Sequence, residues 1–575
     1  MEKIYRVDMG CLSVKPERIP LNLLGFGGRG FTSSIVSDEV PATCDPLSAD
    51  NKIVYACGLL AGTRASTSGR ISVGTKSPLT GGIKESNAGG MAGRAMGRLG
   101  VRGIIVEGKP AEGTYVLIVD SKGARLERRD DLRMMRSYAA VGKLRESYGT
   151  GVSLVLVGPA GERSMRAASI IVTDVEGRPT RHCGRGGTGA VMGSKGLKAI
   201  VLDASGSGPP EIKDPVSFKE HARLFARTLT EHPVSGEALP VYGTNVLANI
   251  INKAAAYPTK NFTAGVFDGV EKISGETMHD VIVRRGGKPT HVCQPGCVIR
   301  CSNVYVDGKG EHLASGLEYE SIWANGANCG IDDLDIIARL DRLYDELGLD
   351  SIEMGVALGV AMYAGVLPFG DGEGAIRLIE GVVEETGIGS VLGHGAKATG
   401  EHLNCDRVPV VKGQALPAYD PRAIKGMGVT YATSPMGADH TAGYTIATNI
   451  LECGGSIHPL STEGQVELSR KLQIATAALD SVNVCIFVAF AALDNPDTVK
   501  SLIGMINARH GWDMTADNLM EMGMEILRRE RLFNSMAGLT AKDDRLPEFF
   551  HSEKLPPHNQ VFDIPDEELD TVFDF

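Results

Sequence analysis

Short apolar runs between turn residues mark the beginning of the chain. β-branched and other apolar residues gather in residues 70–73, 103–109, 114–120 and 153–161, with glycine or proline beside each run. This spacing is typical of strands joined by short turns. It predicts a β-rich first domain over residues 1–208, and the polar segment 205–215, which carries glycine and proline, is the predicted linker.

The rest of the chain follows a helical period. Apolar residues recur three and four positions apart in residues 331–349 and 464–482, which indicates amphipathic helices. The uncharged run 354–370 is shorter than the ~20 apolar residues that span a bilayer, so we interpret it as a buried helix. A break near residues 400–415 predicts two mainly α-helical domains, at 209–405 and 406–575. The predicted fold class is therefore α+β.

The overall organisation is that of a multidomain protein. Its 575 residues exceed the roughly 250–300 residues at which a single core stops growing. No internal repeat with a fixed period is evident along the chain. We interpret the acidic segment 562–575 as a solvated or partly ordered terminus.

The charge balance excludes several classes of partner. The chain has 59 Lys and Arg against 70 Asp and Glu, a net charge of −11, and no block of five or more basic residues. We therefore expect no nucleic-acid or membrane surface, and small-molecule chemistry is favoured. The N-terminus has no long apolar core behind a basic start, so we expect no secretory signal and a cytoplasmic location.

Three cysteines on one short segment are the strongest chemical signal. HVCQPGCVIRC brings Cys293, Cys297 and Cys301 together, in a chain with eleven cysteines. An odd number of cysteines in a large chain suits a reducing compartment, where thiols are metal ligands or core residues. Three neighbouring thiolates and a distant fourth can hold a cubane iron–sulfur cluster. The alternatives are a structural zinc ion, which usually has two paired knuckles, and three ordinary core cysteines.

Two glycine-rich segments carry polar side chains of the kind that bind anions. Residues 69–90 combine Arg70 with Ser, Thr, Lys and Asn among glycines, and residues 181–200 begin with RHCGRGG. Glycine lets backbone N–H groups approach an anion, and arginine adds a charged, two-pronged donor. These segments suit phosphate and pterin groups, although a glycine-rich turn more often only reverses the chain.

The helical part contains two acidic segments with the same internal offset. Asp345 lies five residues before Asp350 in LYDELGLD, and Asp480 lies five residues before Cys485 in ALDSVNVC. Gly348 is predicted to end one helix and Asp350 to cap the next. The recurrence of the offset indicates a shared ligand.

Taken together, these segments resemble the tungsten-containing aldehyde:ferredoxin oxidoreductase family along nearly the whole chain. The family's pterin-contacting loops are matched by GGRG at 27–30, by Arg70 with Asn87, and by RHCGRGG at 181–187. Its paired DxxGL(D/C) motifs are matched at 345–350 and 480–485. The resemblance implies a β-rich, pterin-binding N-terminal domain followed by two helical ones. The cofactor-binding residues it implies are Arg70, Asn87, Gly89, Arg181, His182, Gly184, Arg185, Asp345, Gly348, Asp350 and Asp480.

The resemblance also implies the metals. Tungsten on two pterins is expected, with molybdenum as the alternative metal and magnesium as a candidate bridge between the pterin phosphates. One [4Fe-4S] cluster would be held by Cys293, Cys297, Cys301 and Cys485. Two features depart from the family pattern: the cysteine spacing is CxxxCxxxC rather than CxxCxxxC, and Asn483 stands where the second pterin motif has glycine. The ExxH element of the family's dimer-bridging iron site is not found before the first motif, so that metal is not carried over.

For catalysis the resemblance implies Glu320, in LEYES, and His440, in MGADHTAG. A buried carboxylate hydrogen-bonded to an imidazole can be tuned to remove a proton near neutral pH. An ordinary surface or core position is the alternative for both residues. Cys329 is a further candidate metal ligand, as in ring-reducing relatives, but a small buried thiol is the preferred interpretation. No role is assigned to the remaining cysteines, Cys11, Cys44, Cys57, Cys183, Cys405 and Cys453.

Three functions remain open from the sequence. The first, implied by the resemblance, is oxidation of an aldehyde to a carboxylic acid, with electrons passed to ferredoxin or a ferredoxin-like small subunit. The second is reduction of an acid or an activated aromatic ring within a larger electron-transfer complex. The third is a structural zinc protein with glycine-rich loops. The small number of aromatic residues leans against an aromatic-stacking pocket, and a homo-oligomer is left open.

Overall fold

Within residues 2–575, which the computed structural model describes, the N-terminal part forms two six-stranded sheets. All four apolar runs that predicted strands lie in them. The strands are β1 (Lys3–Asp8), β2 (Ser13–Arg18), β3 (Ile53–Cys57), β4 (Ile71–Lys76), β5 (Ile83–Ala88), β6 (Val101–Glu107), β7 (Tyr115–Asp120), β8 (Gly123–Arg128), β9 (Ser153–Leu156), β10 (Ile170–Val172), β11 (Arg181–Cys183) and β12 (Leu197–Leu202). The helices between them are α1 (Gly28–Glu39), α2 (Ala92–Arg98), α3 (Ser137–Tyr148), α4 (Pro159–Glu162) and α5 (Thr188–Ser194).

The two sheets repeat one topology. The first has the order β2-β1-β6-β3-β4-β5, and the second has the order β8-β7-β12-β9-β10-β11. The pairs β1–β6 and β7–β12, which occupy the same position in the two sheets, are parallel, and the other pairs are antiparallel. The sequence analysis did not detect this repeat, because a topology depends on alternation and turns rather than on residue identity.

The sheets pack face to face around a shared core. Tyr55 and Val73 from the first sheet and Leu117 and Val155 from the second belong to the same buried cluster. Helix α1 covers the outer face of the first sheet, and α3 covers the outer face of the second. This arrangement leaves the loops after β5 and β11 as the edge that meets the rest of the chain.

The remainder is largely helical, as predicted, and the α+β class is confirmed. From residue 215 to 403 the elements are α6 (Pro215–Glu231), α7 (Leu239–Tyr242), α8 (Leu247–Lys253), α9 (Val270–Ile273), α10 (Gly275–Arg285), β13 (Lys288–His291), β14 (Ser302–Val306), β15 (His312–Ser315), α11 (Tyr319–Asn325), α12 (Leu334–Leu347), α13 (Ser351–Tyr363), α14 (Gly372–Glu380), α15 (Gly389–Leu392) and α16 (Gly395–Leu403). Thereafter they are β16 (Val410–Val411), β17 (Gln414–Ala415), α17 (Lys425–Thr433), α18 (Ile446–Asn449), α19 (Gln465–Val482), α20 (Val488–Asp494), α21 (Pro496–His510), α22 (Ala516–Met536), α23 (Phe549–Ser552) and α24 (Asp566–Leu569).

Two details of the helical part differ from the sequence analysis. The uncharged run 354–370 is a buried helix only in its first half, because α13 ends at Tyr363, which is 43% exposed. The acidic terminus is not simply solvated, since Phe562, Ile564, Leu569 and Val572 are all buried. Its apolar residues pack into the helical core while its acidic residues stay outside. No helix in the described residues is long and apolar enough to cross a bilayer.

Candidate active site

The end of helix α12 supports the first acidic motif. Gly348 follows the helix with a left-handed φ of 74°. An added Cβ there would lie 2.7 Å from the Gly158 backbone nitrogen, so the close contact with the first domain requires glycine. Asp350 begins α13 and accepts a hydrogen bond from the Ile352 N–H at 3.0 Å. The predicted helix stop and helix cap are both confirmed.

Helix α19 also ends in a residue with a left-handed φ, but that residue is an asparagine rather than a glycine. Asn483 follows the helix with a left-handed φ of 65°, a conformation that asparagine tolerates better than most residues. Gly28 and Gly58 face it, and an added Cβ on either would lie 2.8 Å from the Asn483 Cβ. Asn483, which stands where the motif usually has glycine, therefore fits because the residues packed against its side chain are glycines.

Each helix end is bonded to a different sheet. The Asp350 N–H donates to the Ala167 carbonyl at 2.9 Å, just before β10. The Cys485 N–H donates to the Thr67 carbonyl at 3.2 Å, just before β4. The duplicated sheets thus receive two similar helix ends, and this places the two acidic motifs side by side.

The first half-site consists of Asp345, Asp350, His182 and Arg185. His182 Nε2 lies 2.8 Å from Asp345 Oδ1, and its Nδ1 lies 2.7 Å from the Ser169 hydroxyl. Arg185 Nε donates to Asp350 Oδ2 at 3.4 Å. The segment that begins in β11 therefore contacts both acids of the first motif. The sequence alone did not show these contacts.

The second half-site consists of Asp480, Cys485, Asn87 and Arg70. Arg70 Nε donates to Asn87 Oδ1 at 2.6 Å, and Asn87 Nδ2 donates to Asp480 Oδ1 at 3.4 Å. Burial raises the pKa of Asp480 to about 6. Asn87 in β5 corresponds to His182 in β11 under the sheet repeat, so each acidic motif meets the same edge strand of its own sheet.

Both half-sites open into one cavity of about 460 Å³. This volume is within the range of about 300–1,000 Å³ that is usual for ligand sites. Of the predicted site residues, only Gly348 and Cys297 are not part of its wall. The predicted residues that line it are Arg70, Asn87, Gly89, Arg181, His182, Gly184, Arg185, Cys293, Cys301, Glu320, Asp345, Asp350, His440, Asp480 and Cys485.

The four predicted thiol ligands lie near one another, and three of them, Cys293, Cys301 and Cys485, line the cavity. The cysteine loop, residues 293–301, joins β13 to β14, and the Gly90 N–H donates to the Cys293 carbonyl at 2.9 Å. A hydrogen bond from Cys297 lowers the pKa of Cys293 to about 6. Burial raises the pKa of Cys301 and of Cys485. The fold thereby brings together the cysteine loop and the end of helix α19, although Cys485 lies 184 residues after Cys301.

The thiol spacing does not suit one mononuclear zinc ion. Tetrahedral zinc with Zn–S bonds of about 2.3 Å would hold its thiolates ~3.8 Å apart. In the part of the chain that the structure describes, the one group with three potential ligand atoms within 4.8 Å of one another is His232, Cys453 and Asp494. That group is held by hydrogen bonds, with His232 Nε2 2.9 Å from Asp494 Oδ2. In the same residues, no three of the four predicted thiol sulfurs lie within 4.8 Å of one another.

Glu320 and His440 lie next to each other in the cavity wall. Glu320 Oε2 accepts the Ala418 N–H at 3.0 Å, and its Oε1 lies 3.5 Å from His440 Nε2. Burial raises the pKa of Glu320 to about 8. Burial also lowers the pKa of His440 to about 4, against the opposing charge of Asp439. Near neutral pH the pair therefore holds one proton, on the carboxyl group, beside a neutral imidazole.

Several charged residues in the wall were not assigned from the sequence. Arg29 Nη2 lies 2.6 Å from a Glu530 oxygen, and its Nη1 lies 3.5 Å from Asp480 Oδ2. Lys84 Nζ lies 2.7 Å from Asp439 Oδ2, next to His440. Both Arg29 and Asp439 could have been found from the sequence. Arg29 belongs to the GGRG segment, and Asp439 directly precedes His440 in MGADHTAG.

The cavity is richer in aromatic side chains than the composition suggested. Its wall includes Tyr319, Tyr419, Tyr444, Phe487 and Phe490. The hydroxyls of Tyr419 and Tyr444 are 2.7 Å apart, and the rings of Phe487 and Phe490 stack with centroids separated by 6.1 Å. The sequence expectation was wrong here, because a low overall fraction does not prevent a few aromatic residues from gathering at one place.

Cys329 lies outside the cavity wall. Its thiol lies 3.3 Å from the Ala324 carbonyl and 3.4 Å from the Gly355 carbonyl, and burial raises its pKa. These contacts agree with the preferred interpretation of a small buried thiol.

The residues present fit an anionic cofactor. Within the described residues, the buried atoms Arg181 Nε, Glu320 Oε1 and His440 Nδ1 lack hydrogen-bond partners. Buried polar atoms are nearly always paired in folded proteins, so a bound group is expected to pair with them. An added Cβ at Gly184 would meet nothing nearer than the His182 Cβ at 4.0 Å, so this backbone is open to a ligand.

This arrangement of a duplicated sheet sandwich, two helical-end motifs and a thiol-bearing cavity defines an oxidoreductase class. The chain belongs to the aldehyde ferredoxin oxidoreductase family. The family's N-terminal domain matches residues 4–204, and its domains 2 and 3 match residues 220–574. The resemblance stated from the sequence is thereby confirmed.

Individual relatives cover almost the whole chain. The tungsten-containing aldehyde ferredoxin oxidoreductases of Pyrococcus furiosus and Pyrococcus horikoshii are 36% and 37% identical, over 96% of this chain and 92% of each relative. The WOR-like subunit of an aliphatic sulfonate oxidoreductase from Pyrococcus furiosus is 27% identical, over 96% of this chain and 90% of its own.

One solved structure has the same fold. It is a chain of the active site complex BamBC of benzoyl coenzyme A reductase, determined with 1,5-dienoyl-CoA. The TM-score is 0.81, with 17% identity over 99% of this chain and 93% of the other. At that identity the likeness extends to the fold alone.

Proposed function

We propose that this protein is a tungsten-dependent enzyme that oxidises an aldehyde to a carboxylic acid and passes the electrons to ferredoxin or a ferredoxin-like subunit. The observation that carries the proposal is the meeting of two acidic half-sites, three of the four predicted thiol ligands and one carboxyl–imidazole pair around a single cavity. Relatives that are named tungsten-containing aldehyde ferredoxin oxidoreductases support it at 36% and 37% identity.

The chain's own residues would divide the cofactors between them. Each half-site would hold one pterin, with Arg181, Gly184, Gly348 and Gly89 completing the contacts, and magnesium is a candidate bridge between the pterin phosphates. The four thiols would hold one [4Fe-4S] cluster. When bound, tungsten would accept two electrons from the substrate, and the cluster would pass them on singly.

Glu320 and His440 would manage the protons. Conversion of an aldehyde and water into a carboxylic acid releases two electrons and two protons. Glu320 is the stronger base of the pair, because burial raises its pKa to about 8 while lowering that of His440 to about 4. In its ionised form Glu320 would therefore accept the proton from the attacking water, and neutral His440 would orient it through Nε2.

The apolar part of the cavity wall, which includes the exposed Ile250 and the half-buried Leu493, is called the outer wall, and it indicates the kind of aldehyde. Its residues are Val234, Leu239, Leu247, Ile250, Leu451, Phe487, Phe490 and Leu493. No lysine lines the cavity within the described residues, and its arginines, Arg29, Arg70, Arg181 and Arg185, belong to the two half-sites or adjoin them. A neutral, apolar aldehyde is therefore favoured over one that carries a carboxylate, a sulfonate or a phosphate.

Reduction of an acid or an activated ring in a larger complex is the alternative. Two observations count against it. The Cys329 thiol, the candidate ligand for such chemistry, lies outside the wall and is hydrogen-bonded to carbonyls. A coenzyme A thioester also brings phosphates, for which the outer wall offers no cation.

The experiment is a metal analysis combined with an assay on anaerobically purified protein. We expect about four iron atoms and one tungsten per chain, with benzyl viologen reduced in the presence of a neutral apolar aldehyde. An ω-carboxylated aldehyde of equal length should react more slowly. Stoichiometric zinc without tungsten or molybdenum would reject the proposal, and metal-loaded protein that reduces rings or acids but oxidises no aldehyde would favour the alternative.

A further inference from the structure

Four arginines near the cysteine loop have no partner. Arg64 and Arg300 are exposed, and Arg94 and Arg98 are half-buried. Their side chains make no hydrogen bond or ion pair with any residue that the structure describes, and Arg98 Nε is buried without a partner. Arg129, by contrast, is paired with the carboxylate of Asp131. Unpaired cations that lie near one another are free to bind an anionic partner.

Backbone contacts locate these arginines around the cysteine loop. Arg300 belongs to the loop itself. Arg64 lies two residues before Ser66, whose hydroxyl accepts the Val298 N–H at 3.1 Å. Gly90, which binds the Cys293 carbonyl at 2.9 Å, leads into helix α2.

Helix α2 carries the other two arginines of the group. Arg94 and Arg98 are one turn apart on it, and burial together with the nearby Arg98 charge lowers the pKa of Arg94. An added Cβ at Gly97 would lie 2.4 Å from Ala61, so the helix packs against the segment that carries Arg64. The segments that carry the four cations are therefore in contact with one another.

An apolar patch lies inside this basic surface. Val298 and Pro295 are half-buried, Gly296 is exposed, and Val241 in α7 is 41% exposed. Helix α7 reaches the loop region because the Thr290 hydroxyl donates to the Pro240 carbonyl at 2.6 Å. A small apolar centre within a charged rim is the usual composition of a transient protein interface.

We propose that Arg64, Arg94, Arg98 and Arg300 form the docking surface for a small acidic iron–sulfur protein, which collects electrons next to the cysteine loop. This inference rests on the proposed function, in which the loop holds the electron-exit cluster. Each aldehyde oxidised releases two electrons, so each turnover reduces two one-electron carriers. The chain as a whole has a net charge of −11, so a local basic surface is needed to steer an acidic carrier to this place.

The test compares two electron acceptors in the same preparations. Benzyl viologen needs no docking surface, whereas a small acidic ferredoxin with one cluster does. In Arg64→Glu/Arg300→Glu, kcat/KM for the ferredoxin should fall by at least about tenfold at low salt, while iron content and viologen-coupled activity stay as in the parent. The difference should shrink as ionic strength passes about 0.1 M, where the Debye length is about 10 Å.

The matched control is Arg133→Glu/Arg136→Glu. Both arginines are exposed and lie beside α3, on the opposite face of the second sheet from α2. The single variant Arg64→Glu is measured as well, because replacement of Arg300 could disturb the cysteine loop whereas Arg64 lies outside it. Equal losses in the control, or unchanged ferredoxin kinetics in Arg64→Glu, would overturn the docking proposal.

Two further outcomes are distinct. Parent enzyme without viologen-coupled aldehyde oxidation would instead contradict the proposed function. Anionic lipid vesicles that bind the parent, but not Arg64→Glu/Arg300→Glu, with ferredoxin kinetics unchanged, would show that the surface recognises a membrane and would overturn the docking proposal.

Discussion

The two half-sites share one backbone design and differ in their chemistry. In each, a helix ends in a left-handed residue, an aspartate stands three residues earlier, and an edge strand of one sheet supplies its partner. The first motif continues into Asp350, which caps α13, and the second continues into Cys485, which faces the cysteine loop. The same framework therefore ends in a carboxylate on one side and a thiol on the other.

The residues around the first half-site connect it to Glu320 and His440. The Ser351 hydroxyl, next to Asp350, lies 2.6 Å from that of Ser321, which neighbours Glu320. Arg185 also donates to the Ala438 carbonyl, two residues before His440, at 2.6 Å. The first half-site thus supports the carboxyl–imidazole pair, and the second supports the thiols. Under the proposed function, this duplicated framework would separate proton handling from electron handling.

The largest effect is expected on the thiol side. Cys485→Ser should remove the cluster signal in electron paramagnetic resonance and abolish viologen-coupled turnover, because serine is a poor ligand for the cluster iron. The first domain should stay folded, since its sheets do not depend on this side chain. Cys329→Ser is the matched control, as another buried thiol, and should keep iron and activity. An unchanged spectrum in Cys485→Ser would remove Cys485 from the ligand set.

The next effect is expected on the proton side alone. Glu320→Gln keeps the shape of the side chain but removes the base, so the maximal rate should fall by about 10²–10⁴-fold with tungsten and iron retained. His440→Asn should resemble it, and the double variant should lose much less than the product of the single losses. A parental rate in metal-loaded Glu320→Gln would contradict this division of labour.

The pH dependence should report the same residue. Glu320 must be ionised to accept a proton, and its pKa is raised to about 8. The rate should therefore rise with pH up to about 8 and fall roughly tenfold per pH unit below it. The profile should flatten in Glu320→Gln. In Glu353→Gln, another buried glutamate whose pKa is raised to about 7 but which lies outside the cavity wall, the rise should remain.

The smallest effect is expected from exchanging the capping residues. Gly348→Asn should destabilise the protein by about 2–4 kcal/mol, because its Cβ would lie 2.7 Å from the Gly158 nitrogen. Asn483→Gly should change stability by no more than about 1 kcal/mol, since glycine also adopts this φ and only the hydrogen bond to the Arg70 carbonyl at 3.2 Å is lost. Thermal unfolding under anaerobic conditions measures both, and equal losses would show that the two helix ends are packed alike.

Much of the fold and of the site was accessible from the sequence. Local patterns determined the strands of the first domain, helices α12 and α19, the Gly348 stop and the Asp350 cap, because each depends on neighbours within a few residues. Nearly all of the residues that the motifs indicated line the cavity. The roles of these residues remain predictions.

Only the tertiary structure decided how these segments meet. The sheet repeat, the pairing of His182 with Asp345 and of Asn87 with Asp480, and the gathering of aromatic side chains all depend on segments far apart in the chain. The raised pKa of Glu320 and the lowered pKa of His440 likewise arise from burial, which no local pattern specifies. Residue types and spacings determine which groups are available, whereas long-range packing determines which of them share a cavity and how they ionise there.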